Sequence, residues 1–114
     1  MDHKARTIVL QFIDHLNNEN FSAAQDCLHD DFVFEGVLGR REGAAVYIRE
    51  MMQMKLKYQV QQSFEAGTDI SLWYMIDMGG KRIPASGWYH TDAGKIRSLK
   101  VVFDPRPLLD SGKE

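Results

Sequence analysis

One glycine- and arginine-rich stretch has the residue types needed to bind an anion. It reads EGVLGRREGAAVYIREMM, with Gly39 and Gly43 on either side of Arg40 and Arg41. Backbone N–H groups at the start of the helix that follows could hold an anion beside an arginine. However, the stretch lacks the GK[ST] ending of a phosphate-binding loop and the spacing of a dinucleotide fingerprint. We therefore interpret it as a hinge between a strand and a helix, with solvated arginines.

Three other groups of reactive residues are weaker candidates for chemistry. His29, Asp30 and Asp31 could ligate a metal, but consecutive residues entering a strand point in different directions. A loop that turns and caps is the favoured interpretation, and no metal site is predicted. Cys27, the single cysteine, cannot form an internal disulfide and is predicted to pack in the core. Ser86 lies in PASGW rather than in the G-x-S-x-G motif of a serine hydrolase.

The composition predicts one globular domain without a polyanionic partner. The chain has 114 residues, of which 44% are hydrophobic, and we assign residues 1–107 to the domain and 108–114 to a flexible C-terminal tail. The formal net charge is −2, which disfavours binding to nucleic acid or to an anionic membrane. The N-terminus mixes charged and apolar residues, and no apolar run approaches ~18 residues. These features predict a cytoplasmic protein with no membrane segment.

Three helices are predicted in the first half of the chain. Apolar residues at i, i+3 and i+4 indicate an amphipathic helix over residues 5–16. A short helix is predicted over residues 21–28, with Ser22 as N-cap and Gln25 completing a capping box. The stretch AAVYIREMMQMKLK, which follows Gly43, has the apolar spacing of a third helix. Asparagines after the first helix are expected to accept the left-handed conformation that ends it.

Five strands are predicted, one between the second and third helices and four after them. The first is DDFVFEGVLG, and the others form an antiparallel meander: KYQVQQSFEAG, DISLWYMIDM, KRIPASGWYH and KIRSLKVVFD. Alternation places Tyr58, Val60 and Gln62 on one face of the first meander strand. Gly79 and Gly80 can supply the positive φ angles of a two-residue hairpin turn. This order of elements predicts an α+β domain.

One strand of the meander has large apolar side chains on both faces. Trp73 and Met75 alternate with an apolar set that would face the core, namely Ile70, Leu72, Tyr74 and Ile76. A sheet with one solvated face has no need of Trp73 and Met75 there. We therefore predict that a second copy of the chain covers the outer face, giving a homodimer. Scattered apolar residues on an exposed face are the alternative.

The order of elements and four stretches of sequence together resemble a known family. The stretches are VLQFIDHLNNENFSAAQDCLHDDFVFEG, GRREGAAVYIREMM, AGKIRSLKVVFD and DPRP. They resemble the nuclear transport factor 2-like superfamily, in its SnoaL-like and ketosteroid isomerase-like branch, over about residues 5–107. The resemblance implies a cystatin-like cone of three N-terminal helices packed on a curved, mostly antiparallel sheet. It also implies an apolar pocket between helices and sheet, and homodimers formed through the outer sheet face.

The resemblance does not extend to the catalytic groups of ketosteroid isomerases. Those enzymes use an aspartate base, with a tyrosine and a protonated aspartic acid as oxyanion donors. The matching positions here are Gly36 for the base, and Phe12 and Ser86 for the two donors, and none carries the required group. Glu35 is next to the base position, but it should point away because side chains alternate along a strand. The comparison therefore argues against steroid isomerisation by that mechanism.

By the same resemblance, the pocket wall is mostly apolar and aromatic. Its expected members are Phe12, Phe34, Met51, Tyr58, Leu72, Tyr74, Ser86, Trp88, His90, Leu99, Val101 and Phe103. Among them, His90 is the one whose ordinary pKa lies near neutral pH, so it is the candidate general acid or base, assisted by Tyr74 or Ser86. The alternative for His90 is a half-exposed residue at the end of a strand.

Two functions of different kinds fit these features. The first is binding of a small hydrophobic or aromatic molecule in the pocket, with cofactor-free isomerase, dehydratase or cyclase chemistry if the protein is an enzyme. The second is a non-catalytic homodimeric module whose interior is filled by its own side chains. The empty volume inside the cone distinguishes the two.

Overall fold

The computed structural model describes residues 4–106, so the predicted tail of residues 108–114 lies outside the described range. Within that range the chain folds as an α+β domain, as predicted, with three helices and six strands. The elements in chain order are α1 (Lys4–Asn17), α2 (Phe21–Asp26), β1 (Leu28–Gly36), β2 (Gly39–Glu42), α3 (Ala44–Met54), β3 (Lys57–Ala66), β4 (Asp69–Met78), β5 (Lys81–Asp92) and β6 (Lys95–Phe103). None of the described helices is long and apolar enough to cross a membrane.

The six strands form one mixed sheet in the order β2-β1-β6-β5-β4-β3. All neighbours are antiparallel except β1 and β6, which run parallel. The prediction of a mostly antiparallel sheet is therefore confirmed. The short edge strand β2 was not predicted, because the glycines around Arg40 and Arg41 indicated a hinge there. These residues instead pair with β1 in a tight hairpin, with Gly36 opposite Gly39.

Helix α1 packs its apolar face on the sheet and is fastened to β3 at its C-terminal end. The buried face consists of Val9, Phe12, Ile13 and Leu16. At the end of the helix, the Asn17 side-chain amide donates to the Tyr58 carbonyl oxygen at 2.8 Å, and the Tyr58 N–H donates to Asn17 Oδ1 at 2.7 Å. This pair of hydrogen bonds fixes the start of β3, and with it Tyr58, against the helix.

The predicted helix boundaries need three corrections. Helix α2 is capped by Asn20, whose side chain accepts from the Ala23 N–H at 3.4 Å, and not by Ser22. The left-handed residue after α1 is Glu19, with φ 57°, rather than an asparagine. Helix α3 ends at Met54 because Lys55 turns left-handed with φ 51°. Each correction moves a boundary while preserving the element.

The hairpin strands follow the predicted turns, but β3 contains an irregularity. Gly79 and Gly80 adopt φ of 58° and 87° between β4 and β5, as predicted for this turn. On β3 the register shifts between Val60 and Gln62, so Gln62 pairs with Trp73 and shares its face. The prediction that Gln62 shares a face with Val60 is therefore wrong, because a bulge reverses the alternation.

The concave face of the sheet and the helices enclose one apolar core. On β4 the buried residues are Ile70, Leu72, Tyr74 and Ile76, the set predicted to face inward. Cys27 is also part of this core, as predicted, and burial raises the pKa of its thiol. A thiol held in the protonated form is a poor nucleophile.

Candidate functional site

The concave side of the sheet contains a cavity of about 400 Å³. It lies among the β1–β2 hairpin, α3 and the neighbouring ends of β3, β4 and β6. Most of the lining is apolar or aromatic: Phe34, Leu38, Tyr47, Met51, Met54, Leu56, Tyr58, Tyr74, Ile76, Met78, Val101 and Phe103. Gly36 and Gly39 contribute backbone, and Arg41 and Glu50 contribute the charged groups. The volume and the apolar lining are those of a small-molecule site.

Four tyrosines from four elements meet at the inner side of this cavity. Tyr47 on α3, Tyr58 on β3 and Tyr74 on β4 line it, and Tyr89 on β5 lies buried behind them. The Tyr74 and Tyr89 hydroxyl oxygens are 2.8 Å apart and share a hydrogen bond. The rings of Tyr58 and Tyr74 have their centroids 5.2 Å apart. The tyrosines thus place hydroxyl groups close to a mostly apolar wall.

Gly87 creates the space for the tyrosine pair. A Cβ atom at this position would overlap the Tyr74 hydroxyl oxygen and would lie 2.9 Å from Tyr89 Cε1. Gly87 lies opposite Leu72 on β4, so it faces the interior. The absence of a side chain at Gly87 therefore allows Tyr74 and Tyr89 to meet beneath the cavity.

Burial keeps these tyrosine hydroxyls protonated. Desolvation raises the pKa of Tyr47, Tyr58, Tyr74 and Tyr89, because the tyrosinate anion would lose its hydration inside the core. At neutral pH the hydroxyls can therefore donate a hydrogen bond to a ligand oxygen, but they cannot act as bases.

The cavity mouth carries an ion pair between β2 and α3. Arg41 Nε donates to Glu50 Oε2 at 2.6 Å, and Arg41 Nη1 donates to the Arg40 carbonyl oxygen at 2.8 Å. The two side chains are 41% and 35% exposed, so both groups reach water while bordering the apolar interior. Glu50 is the only carboxylate among the residues that line the cavity in the described part of the chain.

The predicted binding residues divide into three groups. Those that line the cavity are Phe34, Met51, Tyr58, Tyr74, Val101 and Phe103. Phe12, Leu72 and Leu99 face inward but belong to the packed core, where each is at most 2% exposed. Phe12 contacts Tyr89 edge-on, with ring centroids 6.4 Å apart.

The third group, Ser86, Trp88 and His90, lies on the outer face of the sheet, so their predicted place in the pocket wall is wrong. Ser86 pairs with Trp73 across β4 and β5, and side chains of directly paired residues share a face. The residues of β5 that face inward are those between them, including Gly87 and Tyr89. The three candidate catalytic residues are therefore separated: Tyr74 lies at the cavity, and Ser86 and His90 lie on the opposite face of the sheet.

His90 takes part in a small polar cluster on that outer face. Its Nδ1 lies 2.7 Å from Asp69 Oδ1, and the Trp88 indole N–H donates to the same oxygen at 3.1 Å. These hydrogen bonds lower the pKa of the Asp69 carboxyl, with the contact to His90 contributing most. The cluster fixes the Trp88 ring at the surface and is separated from the cavity by the sheet.

The position that matches the catalytic base of ketosteroid isomerases lies at the cavity, and its neighbour Glu35 does not. Gly36, at the position of the catalytic base in those enzymes, lines the cavity but has no side chain to act as a base. Glu35 points away, as predicted, and lies 3.3 Å from Arg40 and 3.7 Å from Lys100. Both arginines of the predicted hinge are thus paired with carboxylates rather than merely solvated.

No metal site is present among residues 4–106, where no group of three or more His, Cys, Asp or Glu could hold an ion. His29, one of the weaker candidates for a ligand, accepts a hydrogen bond at Nδ1 from the Asp31 N–H at 3.2 Å. Its Nε2 lies 3.0 Å from Arg97 Nη1. His29, Asp30 and Asp31 lie within β1, so the prediction of a loop that turns and caps is wrong, although the His29 bond with the Asp31 N–H is of the capping kind.

Comparison with known proteins identifies the family. Residues 9–99 match the model of the SnoaL-like domain, and none of the curated proteins matches the chain significantly. A nuclear transport factor 2-like protein of unknown function from Cytophaga hutchinsonii is 51% identical, with a TM-score of 0.91 over 92% of this chain and 94% of that one.

Two more distant structures share the fold. An LEH-like epoxide hydrolase from M. tuberculosis is 22% identical, with a TM-score of 0.81 over 94% of this chain and 87% of that one. A protein of unknown function with a cystatin-like fold from Methylobium petroleophilum is 11% identical, with a TM-score of 0.80 over 88% and 75% of the two chains. Together with the domain match, the cone-shaped architecture shows that the chain belongs to the SnoaL-like family of the nuclear transport factor 2-like superfamily.

Proposed function

We propose that the protein binds a small hydrophobic or aromatic molecule in the cavity beneath α3. The observation that carries this proposal is an apolar space of about 400 Å³ whose lining includes three tyrosines. Apolar walls supply affinity by removing ligand surface from water, and a few fixed polar groups orient the ligand. The same cavity argues against an interior filled entirely by the protein's own side chains.

Cofactor-free acid/base chemistry in this cavity would draw on a different set of residues from His90 and Ser86. Glu50 is the carboxylate that borders the cavity, and its Oε1 accepts no hydrogen bond from any described residue. Tyr47 and Tyr58 line the same cavity, and we propose that their hydroxyls donate to an oxygen that gains charge, with Tyr58 giving up its weak contact to Met51 Sδ at 3.9 Å. An isomerase, dehydratase or cyclase reaction is therefore proposed with Glu50 as base and tyrosines as donors.

Filling the cavity should weaken ligand binding. Met51 lines the cavity and Met52, its neighbour on α3, is 50% exposed and does not. We expect Met51→Trp to weaken the binding of naphthol at least about tenfold, because the indole occupies the ligand's space. Isothermal titration calorimetry measures this, and Met52→Trp is the matched control, with unchanged affinity expected.

Two results would contradict the proposed site. Naphthol that binds the wild type and both variants equally occupies another part of the protein. Failure of the wild type to bind either naphthol or acetophenone argues against a site for small aromatic molecules. Circular dichroism of each variant confirms that the fold is retained before affinities are compared.

We also propose that the protein acts in the cytoplasm as a homodimer, joined through the outer sheet face. This face exposes a cluster of large apolar side chains, with exposed fractions of 60% for Phe64, 45% for Trp73, 51% for Trp88 and 61% for Val102. Register pairs Trp73 with Ser86, and Ser86 with Val102, so these side chains are neighbours on the face. Lys100, whose Nζ lies 5.4 Å from the centre of the Trp88 ring, and Asp69, which accepts from the Trp88 indole, border the cluster with opposite charges, and such a face can pair with itself around a two-fold axis.

A charge in the middle of this cluster should separate the protomers. We expect Trp73→Glu to convert a dimer into a monomer, because the buried carboxylate would have no partner at the interface. Sedimentation equilibrium measures the molecular mass, and Met52→Glu on the opposite layer is the control that should stay dimeric. A wild-type protein that sediments as a monomer at all concentrations tested argues against the interface.

A further inference from the structure

The Arg41–Glu50 ion pair has features expected of a selectivity element for the cavity. Among the described residues that line the cavity, only these two carry a formal charge. They approach from different elements, β2 and α3, and meet at 2.6 Å where the cavity opens to solvent. A ligand in the cavity lies beside this pair and contacts an apolar wall that includes Phe34, Ile76 and Val101.

The pair retains unused hydrogen-bonding capacity of both kinds. Arg41 uses Nε for Glu50 and Nη1 for the Arg40 carbonyl, and no described residue accepts a hydrogen bond from Nη2. Glu50 uses Oε2, and no described residue donates to Oε1. The mouth can therefore give one hydrogen bond and accept another at the same time.

A charged ligand gains little from this arrangement. An anion would meet an arginine whose charge Glu50 already balances, and a cation would meet a carboxylate that Arg41 already balances. Either ion would still lose hydration against the apolar wall, and that loss is costly without an unpaired counter-charge. A neutral polar group loses less hydration and can use both free positions of the pair.

We propose, building on the function proposed above, that the Arg41–Glu50 pair selects uncharged ligands that carry a donor and an acceptor at one end. The ligand class is a small molecule with an apolar or aromatic body and a terminal primary amide or similar neutral group. The amide oxygen accepts from Arg41 Nη2, its N–H donates to Glu50 Oε1, and the apolar body extends toward the tyrosines.

The test compares two probes that differ in charge but share one body, hydrocinnamamide and hydrocinnamate. We expect the wild type at about pH 8 to bind the amide at least about tenfold more tightly than the carboxylate. Glu50→Gln removes the charge that balances Arg41, so the carboxylate should gain about tenfold and the preference should vanish or reverse. Isothermal titration calorimetry measures both affinities.

Two further variants separate this effect from a general change in charge. Glu42→Gln also removes a carboxylate paired with an arginine, since Glu42 lies 2.9 Å from Arg40, but neither residue lines the cavity. It should leave the ratio of the two affinities unchanged. Arg41→Met should favour the cation phenylpropylamine, because it leaves Glu50 without its partner, and it serves as a second variant if Glu50→Gln fails to fold.

The outcomes distinguish this inference from the proposed function. Equal affinity of the wild type for the two probes, or a ratio that Glu50→Gln and Arg41→Met leave unchanged, overturns the selectivity role while the cavity remains a binding site. Binding of naphthol without binding of either hydrocinnamic probe also overturns it. Failure of all aromatic probes to bind argues against the proposed function itself.

Discussion

Raising the pH from about 8 to about 11 should lower the free energy of unfolding by at least about 4 kcal/mol. Tyr47, Tyr74 and Tyr89 are at most 1% exposed, and burial raises the pKa of each hydroxyl. In the unfolded chain these groups ionise around pH 10, so above that pH the unfolded state binds fewer protons than the folded state. Stability is therefore intact below about pH 10 and is lost as the pH rises further.

The size of the effect follows from the number of buried hydroxyls. Each tyrosine that stays protonated in the folded protein costs about 1.4 kcal/mol of stability at about pH 11, and three give about 4 kcal/mol. Tyr58, which is partly exposed, and Cys27, whose thiol pKa is also raised by burial, are left out of this sum; each adds to the loss, so about 4 kcal/mol is a minimum. Exposed lysines titrate over the same range, but they do so almost equally in both states and cancel.

Urea unfolding at a series of pH values measures this dependence, with tyrosinate absorbance reporting ionisation directly. The control is a double variant, Tyr74→Phe with Tyr89→Phe, which removes both members of a hydrogen-bonded pair and leaves no orphaned hydroxyl. Its loss of stability over the same range should be smaller than that of the wild type by about 3 kcal/mol. A wild-type protein whose stability stays constant to about pH 11, or whose tyrosines all ionise near pH 10 while folded, contradicts the expectation.

The sequence predicted the order of elements well because that information is local. Apolar spacing marks α1 and α3, and the positive φ angles at Gly79 and Gly80 follow directly from a two-residue hairpin turn. The edge strand β2 was missed because its glycines and arginines have low strand propensity. It forms because β1 offers a partner through the tight turn after Gly36, which is a tertiary effect.

The error on β5 has a specific physical cause. Trp88 looks like a core residue and Gly87 does not, yet Gly87 faces inward because it pairs with Leu72, and the Tyr74 side chain fills the space where a Gly87 side chain would lie. Side-chain size therefore suggested the wrong face of the sheet for Ser86, Trp88 and His90. The hairpin register predicts the correct face. A two-residue turn at Gly79 and Gly80 places Ser86 opposite Trp73, and Trp73 is predicted to lie on the outer face.

Six of the 16 described residues that line the cavity were among the predicted wall residues, and the remainder depends on contacts between distant residues. The family resemblance put Phe34, Met51 and Tyr58 in the wall, and the structure places all three at the cavity. The Arg41–Glu50 pair was missed because its geometry depends on the unpredicted strand β2. Tyr89 was missed through the same reversal of faces that misplaced Trp88.

A single methyl group on β5 should destabilise the fold measurably. Gly87→Ala places a Cβ where it overlaps the Tyr74 hydroxyl oxygen and crowds the Tyr89 ring. Both tyrosines are buried and joined by a hydrogen bond, so neither side chain can move aside without disturbing the core. We expect the free energy of unfolding to fall by about 2 kcal/mol, the usual cost of overpacking. Urea unfolding measures it.

A double-mutant cycle can show that the tyrosine hydroxyl causes the loss. Tyr74→Phe removes the atom that the new Cβ overlaps, so Gly87→Ala should cost about 1 kcal/mol less in that background than in the wild type. Ser86→Ala, on the exposed face of the same strand, is the matched control and should change stability by less than about 0.5 kcal/mol. An equal cost of Gly87→Ala in both backgrounds would mean that the Tyr74 hydroxyl is not the obstacle. The close packing of Gly87 beneath the cavity would then not be what positions the tyrosine pair.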